Sequence, residues 1–138
     1  MRSIEFVSKP YKIDFKLHDR VTFVSTDDSG AGKTFLFDKL QLIATESAFS
    51  FIKCLNFKTP DIQQAILMYA DNQDVLVVID NGDVVITPEI RNIIRKSSAQ
   101  FLIFSREYFG LAFSRSSMSV LTIAKKVISL DYPLMRVG

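Results

Sequence analysis

The chain has 138 residues, enough for one compact domain, and a domain near this size buries about two-thirds of the surface its unfolded chain exposes. Apolar residues make up 48% and charged residues 23%, which excludes a disordered tail or fibrous repeat and predicts a single globular domain over residues 1–138. The net charge is only +2 but unevenly spread: residues 1–56 balance at +1, residues 57–90 at −5 and residues 91–138 at +6.

That basic last third suits an anionic partner such as nucleic acid. A lone Cys54 excludes an intrachain disulfide and suits a reducing, cytoplasmic compartment, and the lone His18 cannot build a zinc cluster. No run reaches the roughly 18 apolar residues of a membrane span, and the first residues lack a signal-peptide stretch. The expectation is a cytoplasmic chain with no membrane partner.

In chain order, Ile4-Glu5-Phe6-Val7 and Tyr11 to Leu17 read as strands, the second alternating apolar and charged residues with period two. Val21-Thr22-Phe23-Val24 is a continuous apolar run, as in a strand buried on both faces. A helix-compatible stretch follows from about Lys33 to Ala48, with Phe37, Leu40, Ile43 and Ala44 sharing one face. Phe49 to Phe57 predicts a further strand. Thr59-Pro60-Asp61 predicts a helix start, with Ile62, Ala65, Ile66 and Tyr69 on the buried side.

Asp74 to Asp80 is the strongest strand signal in the chain. Thr87-Pro88-Glu89 then opens a helix whose buried stripe is Ile90, Ile93 and Ile94. Gln100 to Ser105 reads as a buried strand, and Ser119 to Ala124 with Val127 to Leu130 as a strand pair around Lys125-Lys126. Strands alternate with helices through residues 21–105, which predicts an α/β fold whose sheet is mostly parallel, with antiparallel strands at one edge.

Between the strand ending at Val24 and the helix lies Asp28-Ser29-Gly30-Ala31-Gly32-Lys33-Thr34-Phe35. Such a turn can aim backbone N–H groups at phosphates, because glycine permits close approach and a helix N-terminus adds unpaired donors. Lys33 is then the candidate for the β- and γ-phosphates, and Thr34 for a magnesium ligand. G-x-G-K-[ST] arises by chance in about one chain of this length in a few hundred, so its place between a strand and a helix carries weight. The full pattern asks for glycine five places before Gly32, where Asp27 stands instead, beside Asp28. Negative charge there weakens phosphate binding if it faces the cradle.

Val75-Leu76-Val77-Val78-Ile79-Asp80 ends in an acid suited to the magnesium shell, which makes Asp80 the second metal-ligand candidate. Together these residues resemble the P-loop NTPase superfamily, with its AAA, ABC and signal-transduction ATPase branches, across residues 3–106. The resemblance implies a three-layer P-loop core with helices on both faces of the sheet. It implies catalytic roles for Lys33, Asp80, Ser105 and Arg106, the last two as a polar sensor pair. It also implies that Phe101-Leu102-Ile103-Phe104 lies between the strands before Lys33 and Asp80.

Where many members place glutamate after the aspartate to polarise water, this chain has Asn81, whose amide does not titrate. Asp83 is the nearest substitute, and Arg106 and Arg115 are candidate charge stabilisers. The LSGGQ signature and a lid domain are absent from the sequence. The expected function is therefore binding of a nucleoside triphosphate, ATP by default, with Mg²⁺ and slow or absent hydrolysis. The alternative is a degenerate module that regulates or interacts without catalysis, alone or with a protein partner or a second copy.

Overall fold

The computed structural model describes residues 2–25, 30–111 and 114–136. Strands β1 (Arg2–Ser8) and β2 (Tyr11–Leu17) form an antiparallel hairpin, from Arg2 opposite Leu17 to Ser8 opposite Tyr11. β3 (Val21–Val24) precedes α1 (Gly30–Ile43), and β4 (Ile52–Leu55) precedes α2 (Ile62–Tyr69). β5 (Leu76–Ile79) leads to α3 (Gly82–Val85) and α4 (Pro88–Lys96), and β6 (Gln100–Phe104) leads to the hairpin of β7 (Met118–Ala124) and β8 (Val127–Asp131). All eight strands join one sheet in the order β1-β2-β8-β7-β3-β6-β5-β4. β3 lies parallel between β7 and β6, β5 lies parallel between β6 and β4, and β2 runs parallel to β8.

The sheet is curled. Arg2 belongs to one end of the strand order, yet its guanidinium donates to the Asp74 carbonyl at 3.1 Å and stacks over Phe51 at 4.5 Å, beside the opposite end. Phe6 of β1 likewise meets Phe49, in the 3-10 turn before β4, with ring centroids 5.8 Å apart. Within the curl lies α1. Its Leu36, Phe37 and Leu40 share a core with Ile4, Ile13, Phe15 and Ile128 on one side and with Leu76, Val78, Leu102 and Phe104 on the other. A second core on the outer face unites Phe23, Val77, Ile79, Phe101 and Ile103 with Ile66 of α2 and Ile90 and Ile94 of α4.

This corrects the expected three-layer P-loop core. The protein is a strand-rich half-barrel with, among the described residues, four short helices, the longest of 14 residues. The physical reason is the share of chain given to strands. The two hairpins were expected to extend one edge, but they contribute four of eight strands and fold over the face where a helical layer would have to pack. Helix α1 therefore meets sheet on two sides.

Local chemistry explains where the elements start. Thr87 caps α4 through its hydroxyl, which accepts from Ile90 N at 3.2 Å, and Pro88 takes the first helical position, as expected from Thr-Pro-Glu. The other Thr-Pro pair behaves differently: Thr59 Oγ1 accepts from Asn56 N at 2.9 Å, closing a turn, and α2 begins only after Asp61 in left-handed backbone. α1 starts three residues earlier than expected, so Gly30, Ala31 and Gly32 belong to the helix. β4 is shorter than the predicted span from Phe49 to Phe57, because Ser47–Phe49 turn as a 3-10 helix.

At the N-terminal end of β3 the chain is fastened twice. Arg20 donates to the Ile94 carbonyl at 2.9 Å, closing the C-terminus of α4. One carboxylate oxygen of Asp19 accepts from the hydroxyls of Ser114 at 2.6 Å, Ser117 at 2.7 Å and Ser116. Burial pushes the Asp19 carboxyl up, but the three hydroxyls outweigh it and hold the group below its ordinary value.

The β7–β8 hairpin turns on two residues, with Ala124 opposite Val127 and both Lys125 (φ 52°) and Lys126 (φ 63°) in left-handed backbone. Such a turn favours Asn-Gly, because a side chain in this region costs about 1–2 kcal/mol. The double substitution Lys125→Asn/Lys126→Gly is expected to raise Tm by about 2–8 °C in a thermal melt. An unchanged or lower Tm would contradict strain at this turn.

Candidate functional site

The C-terminal ends of β3, β6 and β5 lie side by side, with Val24 opposite Phe104 and Ile79 opposite Ile103. Crevices beyond the carboxyl ends of parallel strands are where α/β sheets commonly receive ligands, because helix N-termini and loop residues converge there. Here α1 starts past β3, Asp80 follows β5 and Ser105 follows β6. The strand ends are themselves held: Asp80 N donates to the Leu55 carbonyl at 3.0 Å, and Ser105 N to the Val24 carbonyl at 3.1 Å.

Of the expected phosphate-binding residues, Asp28 and Ser29 lie outside the described residues, as does Asp27. Gly30, Ala31 and Gly32 form the first turn of α1, followed by Lys33, Thr34 and Phe35. The first four N–H groups of a helix have no partner within it, so this turn presents main-chain donors and the positive end of the helix dipole. The expected glycine loop is thus a helix end. Lys33 is half-buried and Thr34 exposed. Phe35 turns toward the β1–β2 hairpin: its ring meets Tyr11 at 5.3 Å, and the Lys39 ammonium sits 5.1 Å from its centroid.

Asp80 is 9% exposed, and its Oδ1 accepts from Asn81 N at 2.9 Å. Burial pushes its carboxyl above the ordinary range; the Asn81 amide and the Lys33 charge pull it down, while Asp38 and Asp83 push it further up. The structure therefore brings Lys33 and Asp80 into one electrostatic neighbourhood, and adds two carboxylates to it. Asp83 stands in the first turn of α3. Asp38 escaped the sequence reading, although it lies four residues after Thr34 on α1 and so on the same helical face.

Ser105 is fully buried, and its Oγ accepts from Glu107 N at 3.1 Å; Arg106 beside it is exposed. Ser105 presses against the turn after Asp80, where Asn81 takes left-handed backbone (φ 53°) and Gly82 follows. A Cβ on Gly82 would lie 2.8 Å from Ile103 Cγ2 and 2.9 Å from Ser105 Cβ. Gly82, another residue the sequence reading passed over, is thus the spacer that lets the β5 and β6 ends approach. Arg115 sits with Ser116 and Ser117 in a 3-10 turn beside Asp19, at the other end of β3 from Asp80, so it is not a charge stabiliser for this site within one chain.

Burial pushes the Cys54 thiol up to about 12, so it is not a thiolate at neutral pH. Among the described residues no group of three His, Cys, Asp or Glu side chains is placed to hold a metal by itself. No described helix is long and apolar enough to cross a membrane.

Two measurements probe the geometry. Because the folded-state pKa of Asp80 is raised, its charge costs stability at neutral pH, and that cost fades as pH falls through the raised value. Asp80→Asn is therefore expected to raise Tm at pH 7, with the advantage over wild type shrinking toward about pH 4; a lower Tm at pH 7 would reverse the assignment. Gly82→Ala is expected to lose about 1–3 kcal/mol in denaturant unfolding, through overpacking against Ile103 and Ser105. Unchanged stability would show that the two strand ends separate freely.

Comparison with known proteins returns no match among protein-family models, curated proteins or solved structures. With a half-barrel in place of the three-layer core and no family match, the resemblance to the P-loop NTPase superfamily is set aside as a statement of membership. What stands is the site's own chemistry: a helix N-terminus, an ammonium group and a desolvated carboxylate at one end of the sheet.

Proposed function

We propose that the chain binds a nucleoside triphosphate, ATP by default, with its phosphates at the N-terminus of α1. The observation that carries this reading is that Lys33, in the first turns of α1, and Asp80, 47 positions away in sequence, feel each other's charge. A desolvated carboxylate that a lysine's charge only partly offsets costs stability, and perturbed groups of this kind cluster at functional sites. Main-chain donors of residues 30–33 and the Lys33 ammonium supply the positive field that a polyphosphate needs.

Magnesium fits the same place. It binds through one or two carboxylates together with substrate phosphates, so a full protein cage is not required. The Thr34 hydroxyl is exposed, and Asp80 commits Oδ1 to Asn81 N; these are the two residues that would hold the ion against the phosphates. Its chemistry there is charge neutralisation. This chain's own residues bind and orient: Lys33 meets the terminal phosphates, Ser105 and Gly82 set the spacing of the strand ends, and Arg106 lies at the rim.

Hydrolysis is expected to be slow or absent. Phosphoryl transfer depends on positioning and charge stabilisation, and the residue after Asp80 is Asn81, which cannot act as a base. Asp83, one turn on, is the only nearby substitute among the described residues that also influences Asp80 through charge, apart from Asp38. Asn81 favours the second reading, a regulatory or interaction module that does not turn over. A cytoplasmic setting accords with the single cysteine.

Titration of fluorescent ATP with and without Mg²⁺, paired with phosphate release, tests the proposal. Lys33→Ala is expected to weaken binding about 10- to 100-fold, the loss of a charge-assisted contact. Asp80→Asn is expected to remove the Mg²⁺ dependence and any phosphate release. Equal affinity in wild type and Lys33→Ala, or no binding of any nucleotide, would defeat the nucleotide reading. Binding without phosphate release would establish the non-catalytic alternative.

A further inference from the structure

We infer that the adjoining tips of the two hairpins form a basic prong that docks on the phosphate backbone of duplex nucleic acid. The tips are locked together: Lys12 N donates to the Lys126 carbonyl at 2.9 Å, and Lys12 lies opposite Val127 in the parallel β2–β8 pair. This brings Lys9 and Lys12 of the first hairpin beside Lys125 and Lys126 of the second, all four exposed. Only Lys12 has a carboxylate partner among the described residues, Glu5 at 3.5 Å.

Lys125 and Lys126 occupy left-handed backbone where Asn-Gly would sit without strain. Strain kept at an exposed turn points to a use for the side chains it presents. The prong also projects. β7 is level with Val24 of β3 at Ser119 and continues to Ala124, so it rises about 16 Å beyond the end of β3. Exposed tip residues other than the lysines are small or aliphatic, Val7, Pro10, Ile123 and Ala124. They lack the aromatic anchors favoured at a lipid interface. Lysine contacts of this kind neutralise backbone phosphates without reading sequence.

Anisotropy of a labelled 20-base-pair duplex against the full chain, from 50 to 200 mM salt, tests the proposal. Three to four phosphate contacts predict affinity falling about 40- to 150-fold over that range. Lys125→Asn/Lys126→Gly, which keeps the turn and relieves its strain, is expected to weaken binding and reduce the log–log salt slope by about 2. Lys33→Ala is expected to bind duplex as wild type does, which separates this surface from the nucleotide site. Four results would overturn the prong. These are no duplex binding at 50 mM salt, an unchanged slope in the double variant, loss of duplex binding in Lys33→Ala, or binding to phosphatidylserine vesicles without binding to duplex.

Discussion

Enclosure of α1 by the curled sheet is the constraint on which the rest depends. Leu36, Phe37 and Leu40 are buried against residues from both arms of the sheet, so the helix cannot shift without opening a core on two sides. Interiors are close-packed and resist such movement. Arg2 on Asp74 and Phe51, and Phe6 on Phe49, bring the sheet's ends together around it. With the helix axis held, its first turn follows the carboxyl end of β3.

Two aspartates show how differently one fold treats the same side chain. Asp19 sits where three serine hydroxyls converge on one oxygen, so its charge is solvated by the protein and its carboxyl is held low. Asp80 is desolvated, with the Asn81 amide and a nearby lysine offsetting only part of the effect, and its carboxyl is pushed up. The first arrangement fastens β3 to the turn before β7. The second leaves the burial of a carboxylate only partly offset. The two arrangements lie at opposite ends of the parallel strands β3, β6 and β5.

Much of the local structure was legible in the residues. Period-two alternation in Tyr11 to Leu17, the apolar run at residues 75–79 and the Thr87-Pro88 cap each act over a few positions, and each forms where the sequence implies. Gln100–Phe104 does lie between the strands preceding Lys33 and Asp80. The failures have local competitors behind them. Thr59 found a nearer amide, Asn56 N, than the helix it was expected to cap. Gly30 to Gly32 joined α1, where glycine is disfavoured, with the buried Leu36, Phe37 and Leu40 anchoring the rest of that helix. Asp38 and Gly82 were missed because their importance lies in neighbours from other elements.

The sequence by itself determined most of the strands and the longer helices, and it marked Lys33, Thr34 and Asp80 as candidate site residues, because periodicity, caps and turn residues act through near neighbours. Only the tertiary structure decided the architecture. Whether two hairpins extend a sheet or fold over a helix depends on packing between residues more than 30 positions apart, such as Ile4 with Leu36 and Phe6 with Phe49. No period in the chain encodes that curl, and the layers inferred from alternation gave way to it.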